Sequence, residues 1–317
     1  MDPLSDVLTL LNLRAAFSSR FEAGGEWALR FPAYQHVKIG VLLSGSCLLT
    51  PDGGTALRLS EGDCYLLVGG RPYEVASGPG LEPRDGQAVY RSAPSRRNIR
   101  YGDETGERTV IVGGSISLED TTATLLLDCL PPAAHIPAGS DHARTLRPVL
   151  AMLAEETATE PLGSVVMIDH LTQILFVQAL RAHLAGPEQM EGWLGALHDP
   201  QIGAALAMMH RRATHPWTVA ALAAEVGMSR SGFARRFKEL VGVPPLTYLL
   251  HWRIRSAARA LRSDGRTVAA TAAAWGYASE SAFSNAFKRV TGQPPARYRS
   301  APPPTPQPPD AAAGERP

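Results

Sequence analysis

Residues 218–227 read TVAALAAEVG and residues 267–276 read TVAATAAAWG, a match at seven of ten positions. Past the glycines the match continues with the offset raised from 49 to 50: Phe233, Phe237, Lys238, Gly242, Pro244 and Pro245 return as Phe283, Phe287, Lys288, Gly292, Pro294 and Pro295. One supersecondary unit is therefore used twice, with one residue inserted in the second turn. Each copy opens on a threonine able to cap free N–H groups (Thr218, Thr267). Each closes a short Ala-rich helix on a glycine suited to the left-handed position (Gly227, Gly276) and starts a second helix at Ser229 or Ser279. Ala223 and Ala272 allow a close helix crossing, and phenylalanines four apart pin one face of the second helix to a core. The pattern is a helix-turn-helix, twice.

The opposite face of each second helix is left to solvent or to a partner. In the first copy it offers Arg230, Ser231, Ala234, Arg235 and Lys238; in the second, Ser279, Glu280, Ser281, Ser284, Asn285, Lys288 and Arg289. Arginine can pair with guanine and asparagine with adenine in the major groove, while lysine and helix N-terminal N–H groups, here at Ser229 and Ser279, suit phosphates. Glu280 has two readings, a capping role at the helix start or acceptance from cytosine. Between the copies runs PPLTYLLHWRIRSAARALRS, a long helix with apolar Tyr248, Leu249, Trp252, Ile254, Ala257 and Leu261, expected to act as a rigid strut. Trp217, Trp252, Trp275, Tyr277, Phe233 and Phe283 are expected in the core, not on a base-stacking surface.

Charge is distributed to match. The whole chain of 317 residues has net charge +1, yet residues 1–209 hold 15 Lys+Arg against 24 Asp+Glu, and residues 210–300 hold 15 against 4. A compact basic unit attached to an acidic one suggests a polyanion-binding module, and the base- and phosphate-reading groups on the second helices make double-stranded DNA its expected partner. Cys47, Cys64 and Cys129 form no CxxC or His/Cys cluster, so no disulfide framework, structural zinc or other metal site is indicated. No secretory leader and no run of about 18 uninterrupted apolar residues is visible. A cytoplasmic protein without a membrane partner is expected.

The stretch from WTVAALAAEVG to GQPPARYR closely resembles the DNA-binding domain of the AraC/XylS family of bacterial transcription regulators, since both half-motifs, the strut and a terminal GxxPxxYR element occur in order. The resemblance implies two recognition helices entering successive major grooves one helical turn apart. It places base-facing positions at Ser231, Ala234 and Arg235 in the first helix and at Glu280, Ser281, Ser284 and Asn285 in the second. Ala234 departs from the long polar residues common there, which throws direct base contact by the first helix onto Arg235 and Arg230. RNA polymerase is a further partner in such a reading.

Residues 1 to about 139 carry short apolar runs (VKIGVLL, GSCLLT, DCYLLV, RTVIVGG) between turn signals, the pattern of an antiparallel sandwich or barrel. Two helices are expected over 141–185, the second apolar on more than one stripe. The run LRLSEGDCYLLVGGRPYEVAS is similar to the second stretch of cupin barrels, and residues 1–185 resemble the cupin-type sensor domain that precedes this DNA-binding unit in one AraC subfamily. Tyr73 stands where related sequences have a histidine, and Ile39 and Gly40 where a Phe-His pair is frequent. A metal-dependent cupin needs two or three histidines with a carboxylate, and only His36 is near. The barrel is expected to be free of metal and cofactor and to hold a small-molecule effector near Trp27, Phe31, His36, Tyr65 and Tyr73. Cys47 and Cys64 lie on apparent strands and would serve a redox signal if paired.

The expected architecture is α+β: a cupin-like regulatory and dimerisation domain with an appended helical pair over 1–185, a linker over 186–200, an all-α double helix-turn-helix domain over 201–300, and a disordered Pro-rich tail over 301–317. A homodimer through residues 163–184 follows from the two-sided apolar helix. No GxSxG, HExxH, P-loop or GxGxxG motif is present. Asp169-His170 is read as a surface pair, so the chain is expected not to be an enzyme. The competing reading is a metal-dependent cupin enzyme fused to a DNA-binding domain.

Overall fold

The computed structural model describes residues 2–10, 14–34, 37–95, 97–103, 106–117, 127, 130–140, 143–184, 192–263 and 265–300. His36, Cys129 and the 301–317 tail lie outside them. Two compact units emerge: a helical one holding the described residues of 1–12, 119–129 and 188–305, and a β-rich one holding those of 13–118 and 130–187. The overall class is α+β, as expected.

Helix α1 (Pro3–Leu10) precedes strands β1 (Arg14–Gly24), β2 (Ala28–Phe31), β3 (Val37–Ser44), β4 (Ser46–Pro51), β5 (Leu57–Ser60), β6 (Cys64–Leu67), β7 (Tyr73–Ala76) and β8 (Arg84–Asp85). Helix α2 (Gly86–Ser92), β9 (Asn98–Gly102), β10 (Arg108–Ser117) and β11 (Ala133–Ile136) follow, then helices α3 (Ala143–Thr159) and α4 (Ser164–Leu184). The strands form two sheets, ordered β11-β6-β3-β10-β1-β9 and β5-β4-β7-β2-β8. Their facing sides bury one cluster that includes Phe21, Trp27, Leu29, Leu42, Leu49 and Tyr65. In β3 the alternate residues Val37, Ile39 and Val41 are buried as well, on the other face. Helices α3 and α4 cover that face, touching β1, β3 and β10. This explains why VKIGVLL reads as a continuous apolar run without alternation.

Helix α4 is apolar on two sides, as its sequence implied. Ile168, Leu171, Leu175, Phe176, Ala179 and Leu180 are buried, whereas Val165, Val166, Met167 and Ile174 remain 42–60% exposed. By length and composition it would also suit a membrane span, but Asp169, His170, Gln173 and Arg181 interrupt it and one side packs on the sheet.

The helical unit continues with α5 (Gly192–Ala196), α6 (Pro200–Arg211), α7 (Val219–Glu225), α8 (Arg230–Val241), α9 (Pro245–Ser263), α10 (Val268–Ala274), α11 (Glu280–Thr291) and α12 (Pro295–Ser300). Two findings differ from the sequence expectation. Residues 192–199, assigned to a linker, are core: Trp193, Leu194 and Ala196 are buried and α5 packs on α8. Helix α1, grouped with the barrel by position, packs on α6 and α9 and buries Val7. Both depend on contacts distant in sequence. The Trp193 indole N–H donates to the Tyr248 hydroxyl at 2.8 Å. That hydroxyl can then donate to His210 Nε2, 2.7 Å away. The His210 ring stacks on Trp252 with centroids 3.5 Å apart, and its Nδ1 lies 3.4 Å from Asp6 Oδ2 without a hydrogen bond. Burial pushes His210 down to about 3, so the imidazole is neutral.

Candidate nucleic-acid interface

The two repeats are built by the same local chemistry. Thr218 Oγ1 accepts from Ala221 N–H at 3.0 Å and Thr267 Oγ1 from Ala270 N–H at 3.1 Å. At the other end of each short helix a glycine adopts a left-handed conformation, φ 68° at Gly227 and φ 78° at Gly276. Around Gly227, Gly227 N–H donates to Ala224 O and Met228 N–H to Ala223 O; Gly276 and Tyr277 do the same to Ala273 and Ala272. This paired arrangement satisfies the last carbonyls and turns the chain sharply. A side chain at either glycine would strain the turn. The inserted residue, Ala278, sits between the turn and the next cap without altering either.

Ser229 caps α8, accepting from Gly232 N–H at 3.1 Å, and Ser279 caps α11, accepting from Ala282 N–H at 3.2 Å. Their hydroxyls, placed among DNA-facing groups by the sequence, are thus engaged in holding the helix starts. Ser279, not Glu280, supplies the second cap. Phe233 and Phe237 on α8, and Phe283 and Phe287 on α11, have no exposed surface, each contributing roughly 1.5–3 kcal/mol of burial. They fix which face is outward.

That outward face carries the sequence candidates. Arg230, Ser231, Arg235 and Lys238 on α8 are exposed, and Ala234 is half-buried; on α11, Glu280, Ser281, Asn285, Lys288 and Arg289 are exposed, and Ser284 is half-buried. Ala234 and Ser284 occupy matching positions, so the two helices present their faces in the same register. Arg236 behaves differently from its neighbour. Its Nε donates to Asp199 Oδ2 at 2.8 Å, while Asp199 Oδ1 accepts from the N–H groups of Gln201 and Ile202 to cap α6. Burial would raise the Asp199 carboxyl, but these bonds outweigh it and hold its pKa below the usual range. Arg236 therefore positions α8 through a partner 37 residues away.

The strut is α9, nineteen residues, or about 28 Å at 1.5 Å per residue. Its first half meets the first repeat through Tyr248 against Phe237, centroids 5.9 Å apart. Its second half, with Ile254, Ala257, Ala258 and Leu261, packs on Ala272, Phe283 and Phe287 of the second. Arg262 lies 3.9 Å over the Tyr298 ring and ties α12 to the same bundle. The Arg253 guanidinium donates to the carbonyls of Ala213 and His215, anchoring the approach to α7.

The Cupin family profile matches residues 2–185 and the Helix-turn-helix domain profile residues 222–301. An AraC-like transcription regulator of Streptomyces antibioticus is 43% identical over 306 residues, 96% of this chain and 100% of its own length. One of Streptomyces lividans is 44% identical over 95% of this chain and 99% of its own. The chain belongs to the AraC family of transcription regulators. The HTH-type transcriptional regulator AlkR of Acinetobacter baylyi, 32% identical over 94% of this chain and 99% of its own, extends the likeness across both domains. This AraC-family member binds DNA through its helix-turn-helix domain and carries a cupin sensor domain. Its relatives are regulators and not enzymes, which removes the fused-enzyme reading.

In the β-rich unit, Trp27, Phe31, Tyr65 and Tyr73 fall in or against one inward cluster; His36 lies outside the described residues. The sequence missed Tyr34 and Tyr90 of the same cluster. Their signal would have been proximity to Phe31 and Tyr73, which only the strand register reveals. Cys47 points into that cluster. Cys64, adjacent to inward Tyr65, points to the opposite face of the sheet, so the two thiols do not pair. Burial pushes both up to about 12. Among the described residues no group of His, Cys, Asp and Glu could hold a metal ion.

Proposed function

We propose that this protein is a sequence-specific, ligand-responsive regulator in which α8 and α11 read successive major grooves of double-stranded DNA in the cytoplasm. Arg235, with Arg230, supplies base contact from α8, and Asn285, with Ser281 and Ser284, from α11; Lys238, Lys288 and Arg289 hold phosphates. The observation that carries this reading is the matched outward register of two helices whose phenylalanine faces are buried and whose polar faces are exposed. The inward aromatic cluster around Tyr65 and Tyr73 takes a small-molecule effector. The exposed face of α4, within 163–184, meets its copy in a second chain, which raises the effective concentration of DNA-binding units at a second half-site.

Sequencing DNA fragments selected from a random pool by the purified full-length protein, at a stated salt concentration, tests the central claim. The expected result is two short enriched blocks about 10 base pairs apart. Enrichment of a single block, or none, would overturn it.

A further inference from the structure

Across the sheet β6-β3-β10-β1 the inward side chains fall into three tiers. The floor is apolar and closed, with Phe21, Ile111 and Leu42 aligned in register and Trp27, Cys47 and Leu59 facing them from the other sheet. The middle tier aligns Ser19, Gly113, Gly40 and Tyr65. Its two glycines contribute no side chain, and the Tyr65 ring lies over Gly40 so closely that a Cβ there would meet it. The upper tier aligns Ser115 with Lys38; Lys38 lies over the Tyr34 ring, and Tyr34 in turn meets the stacked pair Phe31 and Tyr73, whose centroids are 4.9 Å apart. Tyr34 and Tyr90 set their rings edge-on to that pair.

Two observations make the upper tiers a binding chamber and not merely core. Phe31, Tyr34, Tyr73 and Tyr90 all keep accessible surface, yet burial raises the hydroxyls of Tyr34, Tyr73 and Tyr90. These four rings pack against the inward cluster without being closed off from solvent. Second, the Ser115 hydroxyl is 99% buried and has no hydrogen-bond partner. An unsatisfied buried hydroxyl is costly and implies a visiting partner. The chamber is also rich in donors. Lys38 Nζ lies 5.8 Å from the Tyr34 ring centre. The buried carboxylate of Asp63 is occupied by Ser60 N–H at 2.9 Å, Ala138 N–H at 2.7 Å and His135 Nε2 at 2.9 Å.

We propose that the chamber binds a flat aromatic molecule bearing an oxygen acceptor, its ring against Phe31, Tyr73 and Tyr90 and its oxygen on Ser115. Rings so arranged favour stacked and edge-to-face contact with another ring. A sugar needs acceptors for its many hydroxyls, and none of the chamber residues named above carries a carboxylate. The proposal rests on the barrel being the effector domain, and its test separates the two.

Binding of acetophenone, ethylbenzene, cyclohexyl methyl ketone and methyl α-glucoside to the full-length protein is measured by ligand-observed NMR. Acetophenone is expected to bind roughly tenfold more tightly than ethylbenzene, which lacks the acceptor, and more tightly than the non-aromatic ketone. Ser115→Ala removes an unpartnered hydroxyl, so its thermal midpoint stays at the wild-type value or rises. It is expected to erase the preference for acetophenone over ethylbenzene while leaving ethylbenzene unchanged. Tyr73→Phe serves as a second variant that keeps the ring and should retain aromatic selectivity. Equal affinity of all four probes, a tighter glucoside, or an acetophenone preference that survives Ser115→Ala would overturn the proposal. DNA affinity measured alongside distinguishes the parent reading. Acetophenone bound through Ser115 without any change in DNA affinity leaves the chamber's specificity standing and removes its effector role. A DNA response to the glucoside without acetophenone binding does the reverse.

Discussion

Arg236 holds Asp199, 37 residues earlier, with Nε donating to Oδ2 at 2.8 Å, while Arg235 on the next position of the same helix remains exposed. Two adjacent arginines therefore have separable effects. Arg236→Ala is expected to cost about 1 kcal/mol, since the guanidinium is half exposed, and to weaken specific and non-specific DNA binding together because α8 loses its tie to α6. Arg235→Ala should leave the thermal midpoint unchanged. Thermal unfolding and DNA titration of both variants check this.

Arg235 and Lys238 should differ in what they give to recognition. Loss of Arg235 is expected to cost about 1–3 kcal/mol on the selected site and little on random DNA. Loss of Lys238 should weaken both and lower the slope of log affinity against log salt by about one. Anisotropy titrations at several salt concentrations measure both quantities. Equal loss of specific and non-specific binding in the two variants would sink the assignment.

His210 makes the helical unit acid-sensitive. Its folded pKa is about 3, against about 6.5 when unfolded, so between these values the unfolded chain binds more protons. Its stabilisation is fully present above about pH 6.5 and is lost as pH falls toward 3, with roughly 2 kcal/mol gone at pH 5. His210→Gln should flatten that part of the stability profile. Denaturant melts from pH 8 to pH 5 provide the measurement.

Cys47 and Cys64 should be inert. With both thiols buried and pushed up to about 12, the thiolate is scarce at neutral pH. Native protein treated with iodoacetamide is expected to label at these positions only after denaturation. A Cys47→Ser/Cys64→Ser variant should keep the wild-type DNA response to mild oxidant. A response lost in that variant would establish a thiol switch.

The exposed side of α4 predicts the oligomeric state. Val166→Glu with Ile174→Glu places charge on a face that is already solvent-accessible in one chain, so folding should survive. Sedimentation at micromolar concentration is expected to give dimers for wild type and monomers for the variant. A wild-type monomer would rule out the α4 interface.

The repeat was legible because its signals are local. Thr218 and Thr267 cap, Gly227 and Gly276 turn left-handed, and Phe233, Phe237, Phe283 and Phe287 point inward, each within a few residues of its partners. Trp193 was taken for linker because its partner, Tyr248, lies 55 residues away. The tie from Arg236 to Asp199 escaped for the same reason, its partner lying 37 residues away. In the barrel, β3 is buried on both faces, so alternation could not tell that Gly40 faces inward while Ile39 faces the helices. The aromatic candidates Trp27, Phe31, Tyr65 and Tyr73 were found as residue types; Ser115 was not, because an ordinary serine gains meaning only from having no partner in its place.

Helix α1 seats Val7 among the helices of the unit that also receives the chain at Gly192. The chain thus leaves the helical unit after α1 and returns to it before α5. Cutting the chain between 184 and 192 would sever one connection and leave the one that follows α1. The DNA-binding part would still be leashed through its grip on α1. A fragment beginning at residue 200, by contrast, would lack both the Val7 plug and the Trp193 bond, and would expose the surfaces they cover.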